Sequence, residues 1–397
     1  MKKSFFFKKT CICQKKAVTL QRENESQANL SLLIPFAEAE FGDVNLLMLK
    51  RKMRIASWVV TVVILLVMAA GLTLGYISGE NVRSVDGERH LIYVYPETTE
   101  SQLLAQIGEY HRFTLPLLFD LQSRYMHLTT PEHPFIKTGC YQMASVMSDR
   151  EVIRMFRSGR QVPVRMTFRG VRTQGQLART LAEQLMLDSA SIASRLADST
   201  YMSAFGLSVA EAVCLFIPDT YEVWWNMTAD DLFARMQREY KSFWNDKRRN
   251  QAQQMGLCPQ EVVTLASIVE EETAKDVDKP LVAGLYLNRL RRGMLLQADP
   301  TVKFAVGDFR LRRILNEHLR TESPYNTYLH KGLPPGPIRI PTAKTVDYTL
   351  NYTPSDYLYM CASPELDGTH RFTHSYAQHI RNAREYQREL NKRGIKR

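Results

Sequence analysis

Between Arg54 and Glu80 the chain runs for 25 residues, Ile55 to Gly79, without one charged side chain, through Trp58-Val-Val-Thr-Val-Val-Ile-Leu-Leu-Val-Met-Ala-Ala. A helix needs about 20 apolar residues to cross the hydrocarbon of a bilayer. The run therefore predicts one transmembrane helix over 55–79, and it divides everything else between two compartments. Lys50, Arg51, Lys52 and Arg54 precede it, whereas Glu80, Arg83, Asp86 and Glu88 follow as a set of mixed sign. Clustered Lys and Arg stay on the cytoplasmic side, so residues 1–54 are expected in the cytoplasm. Everything after Gly79 is then expected on the outer side of the inner (plasma) membrane, in the periplasm or its equivalent. A cleaved signal peptide is the competing reading, but its apolar region spans only roughly 7–15 residues and ends in a small-x-small site. This run is longer and no such site follows it, so a retained single-pass anchor is expected. The leader, 1–54, mixes Lys pairs and Phe5-Phe6-Phe7 with polar stretches of no sustained periodicity. It is expected to be disordered, with Met48 and Met53 as alternative starts to Met1.

A length of 397 residues suggests two or three folded parts at about 150 residues each, and 45% hydrophobic content supplies a core. The formal charge of +11 favours an anionic environment. An exported folded part without a helix-turn-helix or RNA-binding motif argues against nucleic acid as the partner; anionic lipid or wall polymer accounts for the charge. Of six cysteines, Cys11 and Cys13 fall in the leader. Cys140, Cys214, Cys258 and Cys361 are widely spaced with no C-x-x-C, which argues against a metal site. Buried free thiols are the default expectation for them, with one disulfide left open, and no cofactor is implied.

Beyond a short polar linker over 81–88, the alternation in His90-Leu-Ile-Tyr-Val-Tyr95, stopped by Pro96, predicts a strand. Helices are expected after Thr99 and over 115–125, and 139–143 reads as a second strand. The result is a small β-helix-helix-β unit, followed by a helix that starts at Ser148. A strand is expected over 162–168, helices over 177–187 and 190–196, and a helix over 229–244 whose end turns polar at 245–251. The aromatic stretch 216–225, broken by Pro218, suits a core somewhat better than a sugar platform. Two closing strands, 357–362 and 370–374, flank the hairpin turn Asp367-Gly368, and a helix over 376–394 ends the chain.

The run Val262-Val-Thr-Leu-Ala-Ser-Ile-Val-Glu-Glu-Glu-Thr273 is apolar until it stops in three adjacent carboxylates. Leu265, Ile268, Val269 and Glu272 share a helical face, because positions i, i+3, i+4 and i+7 stack. Glu272 thus continues the buried stripe, Glu271 over Thr264 and Ser267 is expected to be solvated, and Glu270 lies on a flank over Val263, Ala266 and Ser267. A carboxyl group held against Leu, Ile and Val loses hydration of its charged form, and its pKa rises above about 4.3. A general acid requires such a rise. Three glutamates ending a helix in water are the bland alternative, and this stretch alone does not choose.

An amphipathic helix over 281–292 follows and stops at Gly293. Then come Gln297-Ala-Asp-Pro-Thr301, Ser323-Pro-Tyr-Asn-Thr-Tyr328 and Gly332-Leu-Pro-Pro-Gly-Pro-Ile338. Rigid Pro and Gly loops carrying Asp, Asn, Thr and Tyr are typical of sites, although each alone supports only ordinary turn chemistry.

In their order, Ala266-Ser-Ile-Val-Glu-Glu-Glu-Thr273, Leu287-Asn-Arg-Leu290, Gly293-Met-Leu-Leu-Gln-Ala-Asp-Pro-Thr-Val302, Tyr325-Asn-Thr-Tyr328 and the 332–338 loop resemble the YceG-like family of endolytic murein transglycosylases. The likeness is strongest over 210–397 and weaker over 90–205. It implies an α+β chain: a single transmembrane helix, a small LysM-like module over 80–160 and a larger mixed α/β catalytic domain over 161–397. The family's catalytic acid is the last glutamate of Glu-x-Glu-Thr, here Glu272, which the helical face singles out as well. At Phe168-Arg-Gly-Val-Arg-Thr173 many relatives carry Glu-Gly in place of Arg169-Gly170, so no contact of that loop is carried over.

The resemblance implies cleavage of the β-1,4 bond between N-acetylmuramic acid and N-acetylglucosamine in nascent peptidoglycan, without water and with no metal or other cofactor. Glu272 would protonate the leaving oxygen and then, as carboxylate, take the proton of the muramoyl C6 hydroxyl that attacks C1, leaving a 1,6-anhydro end. The 2-acetamido oxygen is an additional stabiliser of the developing cation. Hydrolysis would call for a second carboxylate, about 5–5.5 Å away for retention or 6.5–9.5 Å for inversion. Asp299 is the candidate, but Asp-Pro-Thr is expected to open a helix with Asp as N-cap and Pro at N1, in a structural or sugar-binding role. Gln297, Asn326 and Tyr328 are candidate partners for acetamido or hydroxyl groups. Glu270 is the runner-up acid and a like charge that would raise the pKa of Glu272. A membrane-bound peptidoglycan synthase is an implied partner. The alternative reading is a non-catalytic, membrane-anchored peptidoglycan-binding protein.

Overall fold

The computed structural model describes residues 34–311 and 313–394; the leader before 34, with Cys11 and Cys13, lies outside them. The first described element is a 45-residue helix, α1 (Ile34–Ser78), within which Leu46–Tyr76 is long and apolar enough to cross a membrane. The expectation of a disordered leader up to residue 54 is therefore corrected from Ile34 onward. Pro35 suits a first helical turn, and the Ala, Glu, Leu, Met and Lys residues after it are strong helix formers, so the helix propagates without apolar periodicity.

Of the described residues, those up to Asn81 with Ser148–Arg150 form one compact unit, and Val82–Met147 with those from Glu151 to Gly394 form the other. The first part of the chain after α1 runs β1 (Val82–Ser84), β2 (His90–Val94), α2 (Glu100–Tyr110), β3 (His111–Phe113), α3 (Pro116–Tyr125), β4 (Gly139–Met143), β5 (Val146–Met147) and α4 (Asp149–Ser158). β2 and β4 pair antiparallel, from His90 opposite Met143 to Val94 opposite Gly139. Thr99 caps α2 in a reciprocal box with Gln102. Ile92, Val94, Tyr141 and Met143 on one face of the pair bury against Leu103, Ile107 and Phe119. The stretch expected to be a linker holds β1, which pairs with β3 and β5. Three residues are too few for alternation to show, and only their partners make them a strand.

The larger part continues with β6 (Val164–Thr167), α5 (Gln174–Ala182), α6 (Ser189–Ala197), α7 (Ser199–Ser203), a 3-10 turn (Val209–Leu215), β7 (Thr220–Val223), α8 (Ala229–Phe243) and α9 (Asp246–Met255). It then runs through α10 (Pro259–Glu272), α11 (Lys279–Arg291), α12 (Asp299–Val306), α13 (Ala343–Leu350), β8 (Tyr359–Ala362), β9 (His370–Thr373) and α14 (Tyr376–Lys392). The polar stretch after α8 is a helix in its own right. Asn245 caps it through the backbone N–H of Arg248, and Gly256 ends it in the left-handed conformation. The aromatic stretch is core, with Phe216, Tyr221 and Trp225 buried, except that Trp224 is 50% exposed. Cys140 and Cys214 are buried free thiols, whereas Cys258 is exposed and Cys361 half-buried, also as thiols.

α10 lies at the centre of this part, with every residue from Val262 to Val269 buried, and it packs against α9, α11, α12 and α13. A helix apolar on all sides belongs inside a core. The loop before α13 joins α10 through the Ile338 N–H, which donates to Ser267 Oγ at 3.0 Å, and it presses on the 3-10 turn, because a Cβ added at Gly336 would lie 2.1 Å from the carbonyl oxygen of Ala210. Gly336→Ala should therefore cost about 2 kcal/mol or more, as overpacked sites do. A urea midpoint indistinguishable from wild type would refute that close approach.

Candidate active site

Glu272 is the last residue of α10, at the end of the face formed by Leu265, Ile268 and Val269, each with no exposure. The hydroxyl of Tyr286, buried on α11, donates to its Oε1 at 2.5 Å. Burial pushes the Glu272 carboxyl up to about 7; the Tyr286 hydrogen bond pulls it down, Asp299 raises it, Arg289 lowers it and Glu271 raises it. The helix C-terminus, the negative end of the macrodipole, acts in the same direction as burial. Burial holds the Tyr286 phenol well above its usual value, so it remains a donor at neutral pH. A carboxyl near 7 is present in both forms at neutral pH, as a group that first gives and then takes a proton requires.

The neighbouring acids are differently placed. Glu271, expected in solvent, accepts from Arg172 Nη2 at 2.8 Å and Arg339 Nη1 at 2.6 Å and is only 14% exposed. Glu270 Oε2 accepts from the backbone N–H and hydroxyl of Thr342, the cap of α13, at 2.8 and 2.9 Å, and Arg339 lies 3.4 Å from its other oxygen. Committed to that cap, Glu270 makes a poor runner-up acid. The like charges acting on Glu272 are Asp299 and Glu271 rather than Glu270.

The loops converge on the same end of α10 through Arg289. Its Nε donates to the Leu358 carbonyl at 2.7 Å, and its Nη1 to the Leu296 carbonyl at 2.7 Å and to Gln297 Oε1 at 3.4 Å. Asn288 similarly donates to the carbonyls of Ser355 and Tyr357. Gln297 is exposed and stands at φ +52, a left-handed conformation uncommon for a side-chain-bearing residue. Its N–H donates to the Thr327 carbonyl at 3.1 Å, which holds it there. Strain of this kind gathers where a side chain must be aimed.

Asp299 is exposed and accepts from the Tyr328 hydroxyl at 2.7 Å. It occupies N1 of α12 and the cap is Ala298, so the expected N-cap role is corrected: Thr327 Oγ1 holds the Ala298 N–H at 3.0 Å, and the Asp299 carboxylate points to Tyr328 instead. Asn326 is also corrected. It has no exposure, its amide donates to the carbonyls of Leu319 and Thr321, and its oxygen accepts the N–H of Tyr328. It shapes the loop and offers nothing to a ligand. The site therefore gathers Glu272, Tyr286, Arg289, Gln297, Asp299 and Tyr328. No sequence pattern singles out Tyr286, Arg289, Arg172 or Arg339, although Arg289 stands in the Leu287-Asn-Arg-Leu290 segment.

Tyr286→Phe removes the hydrogen bond that lowers the pKa of Glu272 and leaves the packing intact. The alkaline limb of the pH–rate profile should move to higher pH; an unmoved limb with lowered activity would make Tyr286 a packing residue only.

The YceG-like family model matches residues 92–385. The chain is 27% identical over 307 residues to a protein named endolytic murein transglycosylase from Streptococcus pneumoniae serotype 2 (strain D39), covering 68% of this chain and 53% of that protein. It is 31% identical over 157 residues to a protein of the same name from Bacillus subtilis (strain 168), covering 40% and 42%. The chain thus spans about half the length of the curated relatives it matches. The crystal structure of a yceG-like protein from Listeria monocytogenes shares the fold at a TM-score of 0.51 and 23% identity, over 74% of this chain and 98% of that one. With the family model matched along most of its length, this chain belongs to the YceG-like family.

Proposed function

We propose that the chain is a membrane-anchored endolytic murein transglycosylase, a carbon–oxygen lyase that cuts β-1,4 bonds between N-acetylmuramic acid and N-acetylglucosamine in nascent glycan strands and so limits their length. The observation that carries this reading is the Glu272 carboxyl, raised to about 7 by burial and held by Tyr286. Protonated, Glu272 donates to the glycosidic oxygen as C1 takes on oxocarbenium character. As carboxylate it removes the proton of the muramoyl C6 hydroxyl, whose oxygen bonds to C1; the acid consumed in the first step is the base needed in the second. Tyr286 orients the carboxyl, and Asp299, held by Tyr328, adds negative potential beside the cation. Gln297 and Tyr328 are the proposed partners of sugar hydroxyl and acetamido groups. The names of the relatives support the activity.

The division into a LysM-like module over 80–160 and a catalytic domain over 161–397 is part of the same proposal, supported by two separate hydrophobic cores. The apolar helix Leu46–Tyr76 supports a single-pass anchor. The basic residues before it favour a cytoplasmic N-terminus, with the folded part outside the inner membrane, where membrane-bound peptidoglycan synthases would be the neighbours. Uncrosslinked glycan strands incubated with the full chain should shorten to internal fragments with 1,6-anhydro ends. Strands that stay intact yet sediment with the protein would instead make the chain a binding protein.

A further inference from the structure

Two clefts, of about 870 and 640 Å³, form a seam flanking the β6–β7 pair, the first between it and the β2–β4 unit and the second between β7 and α8, and neither is lined by a residue of the Glu272 site. They meet at Pro163, which lines both. The first arises from the alternation of β2 and β4. One face of that pair fills the first core, and the other turns Leu91, Tyr93 and Gln142 toward the first cleft, with Tyr95 just beyond the strand. The solvated face of an antiparallel pair ordinarily carries polar residues, yet here Leu91, Tyr93 and Tyr95 are 41%, 37% and 54% exposed.

The seam is held in shape. Trp225, itself buried, stands 5.0 Å from Tyr93 and 4.9 Å from Tyr95 between ring centres, nearly edge-on to the latter, which fixes both rings from behind. The Asn226 amide donates to the Thr138 carbonyl at 2.9 Å and ties the two parts together. In the second cleft the half-exposed Trp224 stands among Gln161, Glu222, Asn226 and Arg238. The buried Oε1 of Gln161 has no hydrogen-bond partner among the described residues. Exposed Tyr and Trp faces interleaved with carboxamide, carboxylate and guanidinium groups match one ligand chemistry: pyranose rings, which present apolar C–H faces to aromatics and hydroxyl or acetamido groups to planar polar side chains.

We infer that this seam is a second glycan-binding site, holding a stretch of the β-1,4-linked N-acetylated amino-sugar strand away from the bond that is cut. The inference rests on the glycan substrate proposed above. Its test uses the full chain carrying Glu272→Gln, to prevent turnover, titrated with uncrosslinked glycan strands and followed by tryptophan emission. Tyr95→Ala and Trp224→Ala in that chain should each weaken binding at least roughly fivefold, the worth of one aromatic contact. Tyr125→Ala, which removes an exposed tyrosine outside the seam, should not. Melting curves check that each variant folds, and Tyr95→Ala carries the test alone should Trp224→Ala fail to. Unchanged affinity in both seam variants would overturn the inference even where the wild type cleaves strands. The fivefold losses in a chain whose wild type cleaves nothing would sustain the seam and remove the catalytic reading.

Discussion

Replacing Glu272 with glutamine should lower strand cleavage by about 10³-fold or more while making the folded chain more stable at pH 8. The first effect follows from one group serving two proton transfers, each of the kind that contributes about 10²–10⁴-fold; glutamine has no proton to give and no basic oxygen to accept one. The second follows from the sign of the pKa shift. Raised from 4.5 to about 7, the carboxyl binds its proton more tightly in the folded chain than in the unfolded one. Its favourable contribution is complete below the ordinary carboxylate range and is lost as pH rises through 7. Above that, the fold bears the cost of a desolvated charge, about 3 kcal/mol for a shift of this size. Glutamine keeps the shape, offers Tyr286 an acceptor and carries no charge. Denaturation of both proteins at pH 8 and pH 4 checks this: the gain should appear at pH 8 and vanish at pH 4. A variant inactive but destabilised at pH 8 would make Glu272 a structural residue.

Arg339→Ala carries the largest expected loss of stability. Arg339 reaches both Glu270 and Glu271, whose side chains are 9% and 14% exposed, and Glu271 also engages Arg172. Removing one partner from a buried ion pair leaves the other charge without compensation, at a cost of about 3 kcal/mol. The network joins the 168–173 loop, the end of α10 and the segment capping α13, so the loss should register as global unfolding. Adding Glu271→Gln should recover part of it, a coupling that a double-mutant cycle in urea would measure. A loss under about 1 kcal/mol would place these pairs with ordinary surface salt bridges.

The position of Glu272 was legible because four residues at helical spacing put it on a buried face, a property of one helix alone. Glu271 was misread for the same reason. A helical projection contains only its own residues, and the arginines that cover this carboxylate lie 99 and 68 positions away. Tyr286 was out of reach because its hydrogen bond depends on how α11 folds back on α10, which no periodicity encodes. Asn326 looked like a ligand-binding amide in a polar loop, yet a buried loop must first satisfy its own carbonyls. The β2–β4 strands, the two helices between them and the closing hairpin were legible from alternation and turn residues, whereas the three-residue β3 that separates those helices was too short to show. α9 escaped notice because only Ala252 and Met255 of it are buried, too few for an apolar stripe.

The central claim, that Glu272 directs a non-hydrolytic cleavage, is tested most directly by running the reaction in ¹⁸O-labelled water and weighing the new saccharide ends. Ends lighter by one water and free of label, absent with Glu272→Gln, are the expected result. Reducing ends that carry one labelled oxygen would contradict it, make the chain a hydrolase and assign Asp299 the part of the second carboxylate.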